Sequence, residues 1–135
     1  MDYEFLEHTA DAKFKAYGDN LEQAFMNAAY AMFHILKGEQ PVKKKSRKTI
    51  SLEASSEKAL LHDFLSEFLF LIDTESLILS EIASLKMDGL TLECEAFFDK
   101  AEHYETTGDI KSVTYSEMEI TKRKEKVTVQ VVVDI

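Results

Sequence analysis

The sequence predicts an α+β fold of two layers, a mainly antiparallel sheet with two helices packed on one of its faces. Three observations carry this expectation. Two stretches repeat apolar residues at three- and four-residue spacing, the mark of amphipathic helices. The other apolar stretches alternate with polar residues, the period of a strand with one buried face. Turn residues separate these alternating stretches at short range, so they pair as antiparallel hairpins that helices cover on one side.

Taken in order, Tyr3 to Leu6 and Ala12 to Tyr17 are the first two strands. Phe5, Phe14 and Ala16 supply the apolar side, and Lys13 and Lys15 alternate outward. The connection between them holds His8, Thr9 and Asp11. Gly18-Asp19 makes a turn, and Asn20 with Gln23 three residues on reads as a helix cap with its capping box. The first helix runs from Leu21 to about Leu36, with Leu21, Phe25, Ala28, Ala29, Met32, Phe33 and Leu36 on one stripe. Lys37-Gly38 ends it. Lys48 to Glu53 alternates as a third strand. Ser55-Ser56 opens a second helix that runs to about Thr74, apolar over more than half its circumference and therefore expected to be the more buried of the two. Leu77 to Leu85 and Leu90 to Phe98 flank Lys86-Met87-Asp88-Gly89, a hairpin signal through Asp-Gly. Asp99 to Asp109 is a polar loop, and Ile110 to Lys122 and Lys126 to Val133 form the last hairpin. In that terminal strand Val127, Val129, Val131 and Val133 share one face, and Thr128, Gln130, Val132 and Asp134 the other.

Composition bounds the function classes. The 135 residues are 45% hydrophobic and 30% charged, as expected for one domain spanning 1–135 with a real core. The single cysteine, Cys94, excludes an internal disulfide and any multi-cysteine zinc site, and its apolar run suggests a small buried hydrophobe. The acidic start carries no secretory signal pattern, and the apolar run around Phe68 to Ile72 is far too short to span a bilayer. A reducing, cytoplasmic setting fits. The formal net charge of −9 opposes free nucleic acid and suits a basic protein partner or a cation. The local exception is Lys43-Lys44-Lys45-Ser46-Arg47-Lys48, readable as a phosphate contact or as solvated charges guarding a strand.

Glycine-rich phosphate loops, HExxH, nucleophile elbows and EF-hand loops are all missing from the sequence. What remains is oxygen chemistry. Asp11 stands where a loop becomes a strand, able either to serve chemistry or to satisfy turn amides. The valine-rich last strand ends in Asp134, beside the carboxylate of Ile135. If the last strand lies near Ala12 to Tyr17, these three acids converge, and their mutual repulsion then demands a hard cation such as Ca²⁺ or Mg²⁺, or a lysine.

Four ordered blocks resemble the archease family. They are His8-Thr9-Ala10-Asp11 with Ala16-Tyr17-Gly18, Leu21-Glu22-Gln23-Ala24-Phe25 and Asn27-Ala28-Ala29; the helix block Phe64 to Glu75; Ile110-Lys111-Ser112-Val113-Thr114-Tyr115 preceded by Asp99 and His103; and the closing Val133-Asp134-Ile135. The resemblance implies a protein cofactor, not an enzyme: an activator of the RtcB-type RNA ligase of tRNA splicing, promoting its guanylylation by GTP and its multiple turnover. It implies that Asp11, Asp134 and Ile135 bind a divalent cation, Ca²⁺, and that Lys111 is a functional position. Two residues depart from the family pattern, Ser116 where histidine is frequent and Lys13 where glycine is. Two other readings compete, a general chaperone-like modulator of RNA-processing enzymes and a metal-dependent hydrolase.

Overall fold

The computed structural model describes residues 2–7, 11–106 and 108–135. The elements follow in the order β1 (Tyr3–Leu6), β2 (Ala12–Gly18), α1 (Leu21–Lys37), β3 (Ser46–Glu53), α2 (Glu57–Glu75), β4 (Leu77–Asp88), β5 (Thr91–Lys100), β6 (Ser112–Arg123) and β7 (Lys126–Asp134), with a short 3-10 turn at Ala101–His103. The class is α+β and every strand pairing is antiparallel. The strands divide between two sheets, one ordered β1-β2-β7-β6 and the other β3-β5-β4. Each helix touches strands of both.

Local chemistry explains the helix limits. The Asn20 side chain accepts from the Gln23 amide at 2.8 Å, and Gln23 Oε1 accepts from the Asp19 amide at 2.6 Å, so the expected capping box closes, with its return bond one residue upstream. Ser56 caps α2 through the Ala59 amide. Ser76 ends α2 in a left-handed conformation, and Gly38 follows α1 at φ 65°.

The burial of the helices corrects one expectation. The first helix, α1, is the more enclosed, with nine buried residues of its 17 against seven of 19 in α2. Ala24, Ala28, Ala29 and Ala31 let α1 sit close to its neighbours, whereas Phe70 of α2 is 56% exposed. Two polar contacts fix α1 between the sheets. Asn27 donates to the Tyr17 carbonyl at 2.7 Å, and the Tyr30 hydroxyl accepts from the Ile82 amide of β4.

In β7, Val127, Val129, Val131 and Val133 all face the core as the alternation predicts. Phe14 and Ala16 of β2 pair with Val131 and Val129 and are wholly buried. Phe5, across from Phe14, stays 44% exposed on the edge strand β1. The β4–β5 hairpin turns one residue later than the Asp-Gly signal suggests, through Gly89 at φ 61° and Leu90. The five steps from Thr114 to Glu119 on β6 match only the two from Val132 to Gln130 on β7. β6 therefore bulges by three residues.

Candidate functional site

One of the two inner strands of the four-stranded sheet, β7, organises the site. Flanked by β2 and β6, β7 brings its C-terminal end beside the start of β2. The pairing of Ala12 with Val133 puts Asp11, one residue earlier, across from Asp134, one residue later. Asp134 in turn pairs with Ser112, and the Lys111 amide donates to the Asp134 carbonyl at 2.7 Å. Asp11, Lys111, Asp134 and Ile135 thus meet at one end of one sheet, although the chain separates them widely. Antiparallel pairing turns side chains directly across from each other to the same face. Asp11 and Asp134 therefore share the outward face with Lys13 and Lys15, away from the valine core.

Asp11 is half-buried and its Oδ1 is closed to solvent, whereas Asp134, Ile135 and Lys111 are exposed. His8 and Thr9, the other polar groups of that connection, lie outside the described residues. Among the described residues no group of three or more His, Cys, Asp or Glu side chains is gathered to hold a metal. The candidate set is instead two side-chain carboxylates plus the oxygens of Ile135. That is an all-oxygen donor set, and its chemistry fits a hard divalent cation rather than zinc.

The β6 bulge stands next to this end. Glu117 adopts φ 54° and reaches back over the outward face, its carboxylate 3.1 Å from Lys13 Nζ and its carbonyl accepting from Gln130 Nε2 at 2.8 Å. Val132, beneath it, is fully buried on what would otherwise be a wet face. Tyr115 at the start of the bulge is 53% exposed and stacks on His62 of α2, with ring centroids 4.3 Å apart and planes within 8°. His62 also meets the Val113 carbonyl at 3.1 Å and Asp63 at 3.0 Å. This aromatic pair carries no sequence signal, because a bulge and a partner on a distant helix create it. Ser116 is exposed within the bulge.

Two other polar groups stand apart from the site. Asp99, at the end of β5 in the second sheet, is 4% exposed and accepts from the Tyr104 hydroxyl at 2.6 Å and the Lys100 amide at 2.8 Å. His103 Nδ1 lies 3.6 Å away. Tyr104 also accepts from the Lys43 amide, which ties this corner to the basic connection. In the basic run, Lys44 of the connection pairs with Glu81, and Arg47 and Lys48 at the start of β3 pair with Glu95 and Glu75. Much of its charge is answered within the fold, in keeping with charges that guard a strand.

A sequence profile of the archease protein family matches residues 3–135. Protein archease of Methanosarcina barkeri is 35% identical over 144 residues, covering 98% of this chain and 95% of its own. Protein archease of Methanothermobacter thermautotrophicus is 34% identical, covering 98% of both chains. The solution structure of Methanobacterium thermoautotrophicum protein 1598 superposes with a TM-score of 0.83 at 32% identity, over 99% of each chain. A Thermotoga maritima crystal structure, described as an archease and possible chaperone, gives a TM-score of 0.66 at 18% identity over 96% of this chain and 94% of that one, a likeness of fold.

Proposed function

The chain belongs to the archease family, and on that premise we propose that it serves as a protein cofactor of an RtcB-type RNA ligase in the cytoplasm. In this reading it promotes guanylylation of the ligase by GTP and sustains multiple turnover, and the ligase alone joins the RNA ends. The observation that supports the reading is the nearness of Asp11 and Asp134 across the β2–β7 pair, with Lys111 bonded to the Asp134 main chain.

Asp11, Asp134 and Ile135 would hold a divalent cation, Ca²⁺, through hard oxygens. Bound there, the ion supplies a fixed positive charge that draws phosphate or carboxylate oxygens of the partner. The chain's own residues do the rest. Asp134 is paired with Ser112 of β6 and accepts at its carbonyl from the Lys111 amide, so its carboxylate starts from a held backbone. Lys111, exposed beside it, offers an ammonium to phosphate oxygens. The net charge of −9 steers the whole molecule toward a basic partner surface.

Asp11→Asn and Asp134→Asn test this directly. Each should lower stimulation of ligase guanylylation by about tenfold or more, roughly the 1.4 kcal/mol lost when one charge-assisted contact goes. Each should also abolish any rise in melting temperature on adding Ca²⁺, while circular dichroism stays unchanged. Wild-type stimulation by both variants would remove the assignment. Stimulation of many unrelated RNA-processing enzymes would favour the general modulator, and phosphatase or nuclease turnover by the purified chain would favour the hydrolase.

A further inference from the structure

The outward face of the four-stranded sheet changes character along its strands. At the far end from Asp11 and Asp134, Lys15 lies across Gln130 from Glu119, and Thr128 pairs with Thr121. Two pairs further, on the same face, Arg123 of β6 stands directly opposite Lys126 of β7. Lys15, Glu119, Thr121, Arg123, Lys126 and Thr128 line one concavity of about 430 Å³.

Two features make this groove unusual. Like charges directly opposite each other on paired strands are destabilising, yet Arg123 faces Lys126 in a chain of net charge −9, while the acids of this face, Glu119 and Glu4, stand toward Lys15, Glu4 directly across from it on β1. Elsewhere the same fold matches its cations, with Lys13 on Glu117, Lys48 on Glu75 and Lys122 on Glu57. Among the described residues neither Lys15 nor Arg123 makes an ion pair, and Lys126 Nζ is held over the Tyr17 ring at 5.0 Å, on this same face.

We propose that this groove binds a compact polyphosphate, the di- or triphosphate group of a small molecule. Lys15, Arg123 and Lys126 supply the positive charge, and Thr121 and Thr128 supply hydroxyl donors. The guanidinium fork of Arg123 matches two phosphate oxygens at once. Glu119 bounds the groove on the β6 side and keeps the anion toward the hairpin end. Size and charge select the ligand. A concavity of this volume holds a few phosphoryl groups rather than a strand of RNA. An extended nucleic acid must also be neutralised along its length, against the repulsion of an acidic protein. A short polyphosphate stays within about a Debye length, ~10 Å, of the three cations. The inference goes beyond the cation-site reading and does not depend on it, because it uses none of the same residues.

Calorimetric titration of the full chain at low salt, with inorganic tripolyphosphate and separately with a nucleoside triphosphate, tests it. Saturable one-to-one binding is expected. Similar affinity for both probes would mean that the phosphates alone are read, and tighter binding of the nucleotide that the base adds contacts at the rim; each supports the groove. The double variant Arg123→Gln/Lys126→Gln should bind at least about tenfold more weakly. Lys58→Gln/Lys86→Gln, which changes net charge equally but lies elsewhere, should stay within about twofold of wild type. Absence of saturable binding, or equal weakening by both double variants, overturns the proposal. So does tighter binding of a single-stranded oligonucleotide than of tripolyphosphate, which would make the face an RNA surface instead.

Discussion

At the scale of single residues, Asp99 shows how far a side chain's chemistry depends on neighbours. The hydrogen bond from Tyr104, ahead of the Lys100 amide and His103, holds its carboxyl below the ordinary value of 3.8 although burial opposes this. A carboxylate with a depressed folded pKa contributes stability that is present above its unfolded pKa and lost as pH falls through the folded value. Asp99→Asn should therefore lower the melting temperature at pH 7, and the gap to wild type should narrow below about pH 4, measured by circular dichroism melts across pH. A gap independent of pH would rule out the charged form as the source. In the sequence Asp99 is only the start of a polar loop, and its bond to Tyr104 depends on the intervening 3-10 turn. Asp11 was more legible, since a carboxylate at a loop-to-strand boundary stands out in a chain without other catalytic motifs. That Asp134 is its neighbour rested on a condition, the adjacency of β2 and β7, which the register meets.

At the scale of elements, the helices were legible almost to the residue, because caps and apolar spacing are local. The junction of β2 and α1 adds a constraint that spacing does not reveal. A Cβ on Gly18 would meet the Ala24 amide nitrogen at 2.4 Å and the Gln23 carbonyl carbon at 2.8 Å. Both are backbone atoms, so no side chain can swing aside. Gly18→Ala should destabilise the fold by ~1–3 kcal/mol, the range for overpacking, as read from urea unfolding. An unchanged midpoint would mean that the strand and helix can separate without cost. The β6 bulge was not legible. Ser112 to Arg123 contains no glycine or proline to announce it. The extra residues become visible only when β6 is laid against β7.

At the scale of the whole molecule, the buried side chains of both sheets and both helices form one continuous cluster. Cys94 sits within it, fully buried, and burial pushes its thiol up to about 12. A thiol so far from its anion is a poor nucleophile. Cys94 should react with an aromatic disulfide reagent at pH 8 only as fast as the chain unfolds, followed by absorbance with and without denaturant. Rapid labelling of the native protein would contradict this burial. The same cluster explains why the α+β class could be read from sequence while the division into two sheets could not. Alternation tells that a strand has a wet face and a dry face, not which strands it joins. The sequence by itself determined the helices, the strands, the turn chemistry and the acidic character, because each depends on residues close together in the chain. Only the tertiary structure decided that Asp11 meets Asp134, that Tyr115 stacks on His62, and that Lys15 shares a groove with Arg123 and Lys126. Those meetings join distant segments, and their register is imposed by the core the segments bury together.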